Sequence, residues 1–191
     1  MAKLVVFDFD GTITRKDTMQ ALARYGFGTA GYLVRMGILF PWLVLHVLGL
    51  YSNQKTKERF LKLFFGGMPL EDFGSLCFSF NKDELNKLIY PAALASIEEY
   101  RKAGDRVLII TASAENWVKP WCDACQVECI GSKLETKDGK LTGRLLGKNC
   151  YGEEKVRRLL EVADPKMYDE FIVFSDALDF QMTTLSAKLP V

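Results

Sequence analysis

Residues 3–14 read KLVVFDFDGTIT: apolar, mostly β-branched or aromatic side chains that stop abruptly at two carboxylates, Asp8 and Asp10. Gly11 and Thr12 follow. A short, continuously apolar run of this kind has the pattern of a strand buried on both faces, which is the habit of parallel sheets covered by helices. Two acids so close together repel unless a cation lies among them or one keeps a proton. The stretch therefore predicts an α/β core with a charged site at the carboxyl end of its first strand.

Two further runs match it, Val107–Ile110 and Phe171–Phe174. Helical material separates the three, which predicts crossover units and a parallel sheet. Before the second run, Leu94, Ile97 and Tyr100 share a helix face and Gly104 suits the C-terminal cap. Before the third, Val156, Leu159, Leu160 and Ala163 form an apolar stripe, with acids in the first turn and Pro165 past the end. A further core strand is expected near Val127–Ile130. Beyond it, SKLETKDGKLTGRL carries an Asp138-Gly139 turn between alternating residues, the signature of a β-hairpin. The interval from Asp17 to Tyr90 has no strand signal and reads as helical. The expected fold is α/β: a Rossmann-like parallel-sheet core (1–16 and 91–191), an inserted all-helical cap (17–90) and a small β-hairpin flap.

Basic and acidic residues nearly balance, 25 against 24, and no basic run stands out. That leaves no electrostatic footprint for nucleic acid. Five cysteines, an odd number, follow an N-terminus whose apolar run is too short for a secretion signal, which predicts free thiols in a reducing cytoplasm. Cys122 and Cys125 have CxxC spacing with Cys129 four residues on. A zinc site would need a fourth ligand, so buried thiols are expected. The single histidine, His46, lies in an apolar run and reads as a packed side chain.

In parallel α/β sheets, ligands bind at the carboxyl ends of the strands, near the reversal of strand order. Here those ends carry Asp8 and Asp10, then Thr111 and Ser113, then Ser175, Asp176 and Asp179. Lys155 falls in the first turn of the helix before the third strand. Clustered carboxylates form a hard oxygen site suited to Mg²⁺, which takes one or two carboxylates with water and phosphate. A cation beside Lys155 would attract a phosphate dianion, and a carboxylate nucleophile can form an aspartyl-phosphate. The second acid can then move protons.

Together these segments resemble the haloacid dehalogenase superfamily. FDFDGT is similar to its motif I, LIITAS to motif II, Lys155 in EEKVRRL to motif III, and IVFSDALDFQM to motif IV. The four span Leu4 to Met182 in the family's order. The resemblance implies that Asp8 is nucleophile and metal ligand, and that Asp10 is general acid/base with its carbonyl on the metal. It implies that Gly11 and Thr12 shape the phosphate loop, that Thr111 and Ser113 meet the phosphoryl group, and that Lys155 holds Asp8 and the phosphate. Asp176 and Asp179 would complete the Mg²⁺ site. An aspartate at position 10 favours phosphatases. A helical insertion right after motif I resembles the C1-capped, subclass IB group, which includes phosphoserine phosphatase and histidinol-phosphatase-like and phosphatidylglycerophosphatase members. Two departures stand out. Asp176 and Asp179 are three apart where the family usually has four, with Phe180 next, which a one-residue deletion explains. The chain also stops at Val191, so either the sheet is short or AKLPV adds an edge strand.

Other readings compete at single positions. Thr111 could cap the following helix, although Ser113 is the better N-cap candidate. Asp17, at the entrance to the cap, is either a substrate contact or an N-cap acid. Residues 36–54 hold no Asp, Glu, Lys or Arg. Three readings fit them: a buried helix pair, a membrane-resting surface with Phe40, Trp42 and Tyr51 near KTKER, or a true span. The expected substrate is a small phosphorylated metabolite or a phospholipid headgroup, with peripheral membrane contact through the cap in the latter case. The rivals are a non-catalytic module that binds a phosphorylated ligand or a membrane, and an integral membrane anchor.

Overall fold

The computed structural model describes residues 3–175; Asp176, Asp179 and the AKLPV tail lie outside the described residues. The strands are β1 (Lys3–Phe7), β2 (Arg106–Ala114), β3 (Glu128–Ser132), β4 (Leu134–Lys137), β5 (Lys140–Leu145) and β6 (Glu170–Phe174). Four of them pair in the order β3-β2-β1-β6, all parallel. From β1 the chain steps outward to β2 and β3, then returns to the far side of β1 as β6. Strand order thus reverses beside β1, which places a crevice at its carboxyl end.

Between β1 and β2 come α1 (Thr18–Val47), α2 (Asn53–Phe65), α3 (Leu70–Phe80), a π-helical turn (Asn81–Leu85) and the short α4 (Asn86–Leu88). The remaining helices are α5 (Pro91–Lys102), α6 (Glu115–Ala124) and α7 (Glu153–Val162). The α5 stripe is as expected: Ile97 is buried, Leu94 and Tyr100 pack against the same core, and Gly104 takes φ +84° beyond the helix end. On α7 the expected stripe is one residue too wide. Leu159 and Ala163 are buried and Val156 packs against the same core, but Leu160 lies past its edge and is 52% exposed. The second strand also runs further than expected, through Thr111 to Ala114, with a register shift against β3 after Ile110.

Strand alternation sorts β1 onto two cores. Leu4 and Val6 join Leu108, Ile110 and Leu159 on the α7 side. Val5 and Phe7 join Ile109, Trp117 and the buried residues of the helical insertion on the other.

The insertion leaves and re-enters the sheet through one zipped pair of linkers. Arg15 N–H donates to the Leu88 carbonyl at 2.8 Å and Tyr90 N–H to the Ile13 carbonyl at 2.8 Å, around a Thr14–Ile89 bridge. The hairpin β4–β5 turns at Asp138 and Gly139, both at positive φ (52° and 72°), as its Asp-Gly turn requires. Its outer strand pairs with residues 67–70 of the insertion, with Gly67 N–H to the Leu141 carbonyl at 2.7 Å and Leu141 N–H to the Met68 carbonyl at 2.9 Å.

The apolar stretch 36–54 is not a buried helix pair. Most of it continues α1, broken once at Gly28 (φ 68°, ψ 169°). Only Leu39 is fully buried there, with Met36 and Leu43 partly so. Leu33, Val34, Ile38 and Phe40 are each more than half exposed. The reason is supply: α2 covers one side of this part of α1, whereas α3 meets α1 nearer its start, at Tyr25 and Gly26. By length and composition α1 suffices to cross a membrane.

Candidate active site

Asp8 is the next residue in the even row of β1 after Leu4 and Val6, the row that faces α7. On α7, Lys155 lies one turn before Leu159, which packs on that row. The geometry that buries Leu159 therefore brings Lys155 Nζ to 2.8 Å from Asp8 Oδ2, with both side chains largely buried. Asp8 Oδ1 accepts the Phe9 N–H at 2.6 Å. The carboxylate is fixed by a full cation and a backbone donor.

Past Asp8 the chain turns. Gly11 stands at φ +81°, and the Phe9 carbonyl accepts the N–H groups of Ile13 (2.9 Å) and Thr14 (3.0 Å). This turn carries Asp10 onto the insertion. Its Oδ1 accepts Thr18 N–H at 2.7 Å and its Oδ2 accepts the Ser113 hydroxyl at 2.5 Å. Thr18 and Ser113 hydroxyls lie 3.2 Å apart, and Trp117 Nε1 donates to Thr18 Oγ1 at 3.1 Å. Burial, reinforced by nearby Asp17, pushes the Asp10 carboxyl above its ordinary value, against the opposing Ser113 and Thr18 bonds. A carboxyl held this way, raised by burial and open to the cavity, is placed to give and take protons.

Asp8, Asp10, Asp17, Thr111, Ser113 and Lys155 all reach the wall of one cavity of about 380 Å³. Thr111 is buried and its Oγ1 accepts Ser113 N–H at 3.0 Å, leaving the hydroxyl proton to donate. Ser113 is not a helix cap: α6 begins after Ala114 with no side-chain cap, because the Ser113 hydroxyl is engaged by Asp10. Asp17 does cap α1, accepting Gln20 N–H at 2.9 Å, and lines the cavity as well. Gly11 and Thr12 are not on the cavity wall; they form the turn beneath it, where the buried Thr12 hydroxyl has no partner among the described residues.

Lys57, which the sequence reading passed over, reaches the same cavity from α2. Its Nζ donates to the Ala112 carbonyl and, at 3.0 Å, to Asn149 Oδ1. Ser132 Oγ donates to the same two oxygens, at 2.7 and 2.9 Å. Asn149 Nδ2 returns to Asn53 at 2.8 Å. Burial pushes Lys57 down to about 8, against the pull of Asp10 and Asp17. The signal was present: Lys57 stands at i−3 and i−4 to the buried Phe60 and Leu61, a lysine on the inward stripe of an amphipathic helix.

For a cation, Asp8 and Asp10 offer hard oxygens, the donor type and number that Mg²⁺ takes alongside water and phosphate. No group of three His, Cys, Asp or Glu suited to a metal occurs among the described residues. The acids expected to complete the set, Asp176 and Asp179, lie outside them. The cysteines are free thiols, as expected. Its hydrogen bond to Cys129, with burial, raises Cys122 well above the ordinary thiol range. His46 is half-buried, its Nδ1 2.9 Å from the Tyr51 carbonyl.

The sequence profile of the haloacid dehalogenase-like hydrolases matches residues 5–182. The chain belongs to that family. The protein CicA of Caulobacter vibrioides is 32% identical over 166 residues, 85% of this chain and 73% of CicA. A histidinol-phosphatase of Neisseria meningitidis is 24% identical (83% and 73% covered) and a phosphoserine phosphatase of Wolinella succinogenes 26% identical (80% and 68% covered). The fold of this haloacid dehalogenase-like hydrolase is similar to a crystal structure of a Bordetella pertussis protein of unknown function. There the TM-score is 0.83 at 22% identity, with 97% of this chain and 87% of the other covered.

Proposed function

We propose that this hydrolase is a Mg²⁺-dependent phosphomonoesterase that works through an aspartyl-phosphate on Asp8. The observation that carries the reading is the pair of differently held acids at one cavity: Asp8 fixed as a carboxylate by Lys155, and Asp10 raised by burial. The phosphatases among its relatives support the reaction class.

Asp8 attacks phosphorus in line with the ester oxygen, and the P–O bond to the alcohol breaks. Asp10 supplies the proton that the departing alkoxide takes up. Then Asp10 removes a proton from water, the hydroxide oxygen bonds to phosphorus, and the bond to Asp8 breaks to release inorganic phosphate. Thr111 donates to a phosphoryl oxygen, Ser113 holds Asp10 in place through its hydroxyl, and Lys155 and Lys57 balance the phosphoryl charge. Mg²⁺, held by Asp8 and Asp10 with Asp176 and Asp179, would neutralise phosphoryl charge and offset its repulsion of the nucleophile. Phosphate monoesters are among the slowest substrates to hydrolyse uncatalysed, so charge neutralisation and covalent attack are both called for. The substrate is a small phosphorylated metabolite or a lipid headgroup phosphate, with its alcohol portion toward Asp17, Met36, Leu43 and Phe60 on the cavity wall.

Purified protein should release p-nitrophenol from p-nitrophenyl phosphate with Mg²⁺ and stop when the ion is chelated. Asp8→Asn should lower the rate by roughly a thousandfold or more while the circular dichroism spectrum is unchanged. Turnover surviving in Asp8→Asn would sink the covalent mechanism, and turnover surviving chelation would sink the metal requirement. A panel of phosphoserine, histidinol phosphate and phosphatidylglycerophosphate then separates the substrate classes.

A further inference from the structure

The outer side of α1 serves no purpose in the mechanism above. At about 100° per residue, Leu33, Val34, Ile38, Phe40, Val44 and Leu45 fall, with Val47 and Leu48, in one arc of about 180°. All eight are exposed. Gly37 and Pro41 complete the arc, so it holds no polar side chain over about 24 Å of helix.

A partner helix takes a narrow apolar seam, and a protein surface adds polar groups at the rim. A half-cylinder without a single hydrogen-bonding side chain matches hydrocarbon instead. Charge agrees with that occupant. Residues 18–56 contain no Asp or Glu but carry Arg24, Arg35 and Lys55. The exposed Arg59 sits 4.8 Å from the Trp42 ring centroid at the edge of the arc. Basic side chains beside an apolar, aromatic-edged face suit an anionic lipid surface. The helix lies along that surface and does not cross it, because its inner side is committed: Leu39 is 2% exposed and Met36 and Leu43 pack into the core.

Those same inner residues, Met36, Leu39 and Leu43, wall the cavity that holds Asp8. One helix thickness, about 10 Å, therefore separates the apolar arc from the site. We propose that α1 docks on an anionic bilayer through its outer arc, and that the substrate is a phosphate monoester carried by a lipid. The docking stands by itself; the substrate assignment rests on the phosphatase reading.

The test sediments the full chain with vesicles of phosphatidylcholine and of equimolar phosphatidylcholine and phosphatidylglycerol. The protein should pellet with the anionic vesicles, and less so at high salt. The triple variant Ile38→Gln, Phe40→Gln, Val44→Gln alters only exposed residues off the cavity wall. It should partition roughly tenfold less or weaker still, with p-nitrophenyl phosphate turnover unchanged. Vesicles doped with phosphatidic acid, the simplest lipid phosphate monoester, should lose phosphate to the wild type faster than to the variant. A protein that stays in the supernatant, or a variant that pellets like wild type, overturns the docking. A dimer in sedimentation equilibrium that the variant converts to monomer overturns it too, and assigns the face to a second copy. Docking with turnover of p-nitrophenyl phosphate but none of phosphatidic acid overturns the lipid substrate alone. Loss of both turnovers counts against the phosphatase reading instead.

Discussion

Lys57 and Lys155 are two lysines on one cavity with different tasks. Lys155 is paired with Asp8, whereas Lys57 reaches the cavity from the insertion and is held by the neutral oxygens of Ala112 and Asn149. Burial puts Lys57 at about 8, below the ordinary 10.5. Below pH 8 the folded protein carries the full cost of burying its charge. As pH rises from about 8 to 10.5 the folded state sheds that proton before the unfolded state does, so this residue's contribution to stability improves with pH. Substrate binding runs the other way, since the charge that attracts phosphate disappears. KM for p-nitrophenyl phosphate should rise on the order of tenfold between about pH 7 and 9.5 with kcat little changed. Lys57→Arg should flatten that rise, because a guanidinium keeps its proton; an equally steep rise in the Arg variant would free Lys57 of the role. Asp8, Asp10 and Thr111 were legible because each closes a short apolar run in the sequence, and Lys155 because it lies in the first turn of the helix before β6. Lys57 was not, because a lysine on an apolar stripe is visible only once the helix register is known.

At the level of elements, the hairpin was legible from Asp138-Gly139 alone, but its purpose was not. The outer strand β5 lies against α2, and Gly143 (φ +81°) is where they meet. A Cβ built there would stand 2.3 Å from Lys62 Cα. Gly143→Ala should therefore destabilise the protein by about 1–3 kcal/mol, read as a lowered Tm, whereas Gly139→Asn, open on all sides and in a turn tolerant of asparagine, should cost much less. Equal losses would show that the hairpin and α2 do not brace each other. Helix α1 shows the opposite limit of sequence reading. Its apolar content was plain, yet content does not say which side is covered. Only the placement of α2 decides that Leu39 faces inward and Ile38 outward.

For the whole molecule, the insertion and the sheet layer are joined by their packing. Leu22, Phe60, Phe73 and Phe80 from its helices share one continuous core with Val5, Phe7 and Trp117 from the sheet layer. Heating should give a single transition, with near-ultraviolet and far-ultraviolet circular dichroism reporting the same Tm. Two resolved midpoints would mean the helices melt apart from the sheet. A parallel sheet followed from the order of apolar runs, since crossover chemistry admits few alternatives, whereas the reversal beside β1 comes from the strand pairing. The shared core did not follow, because it depends on tertiary contacts between residues tens of positions apart.

The zipped linkers at Thr14 and Ile89 carry a consequence of another kind. Because the excursion between them begins and ends on one hydrogen-bonded pair, the sheet meets the same two endpoints whatever lies beyond. Changes of length or sequence past that gateway can therefore leave the strand ends undisturbed, so long as they keep Thr18 on Asp10, Lys57 at the cavity and the side chains that fill the common core. In evolutionary terms, selectivity is free to drift only where the helices owe nothing to the chemistry beneath them.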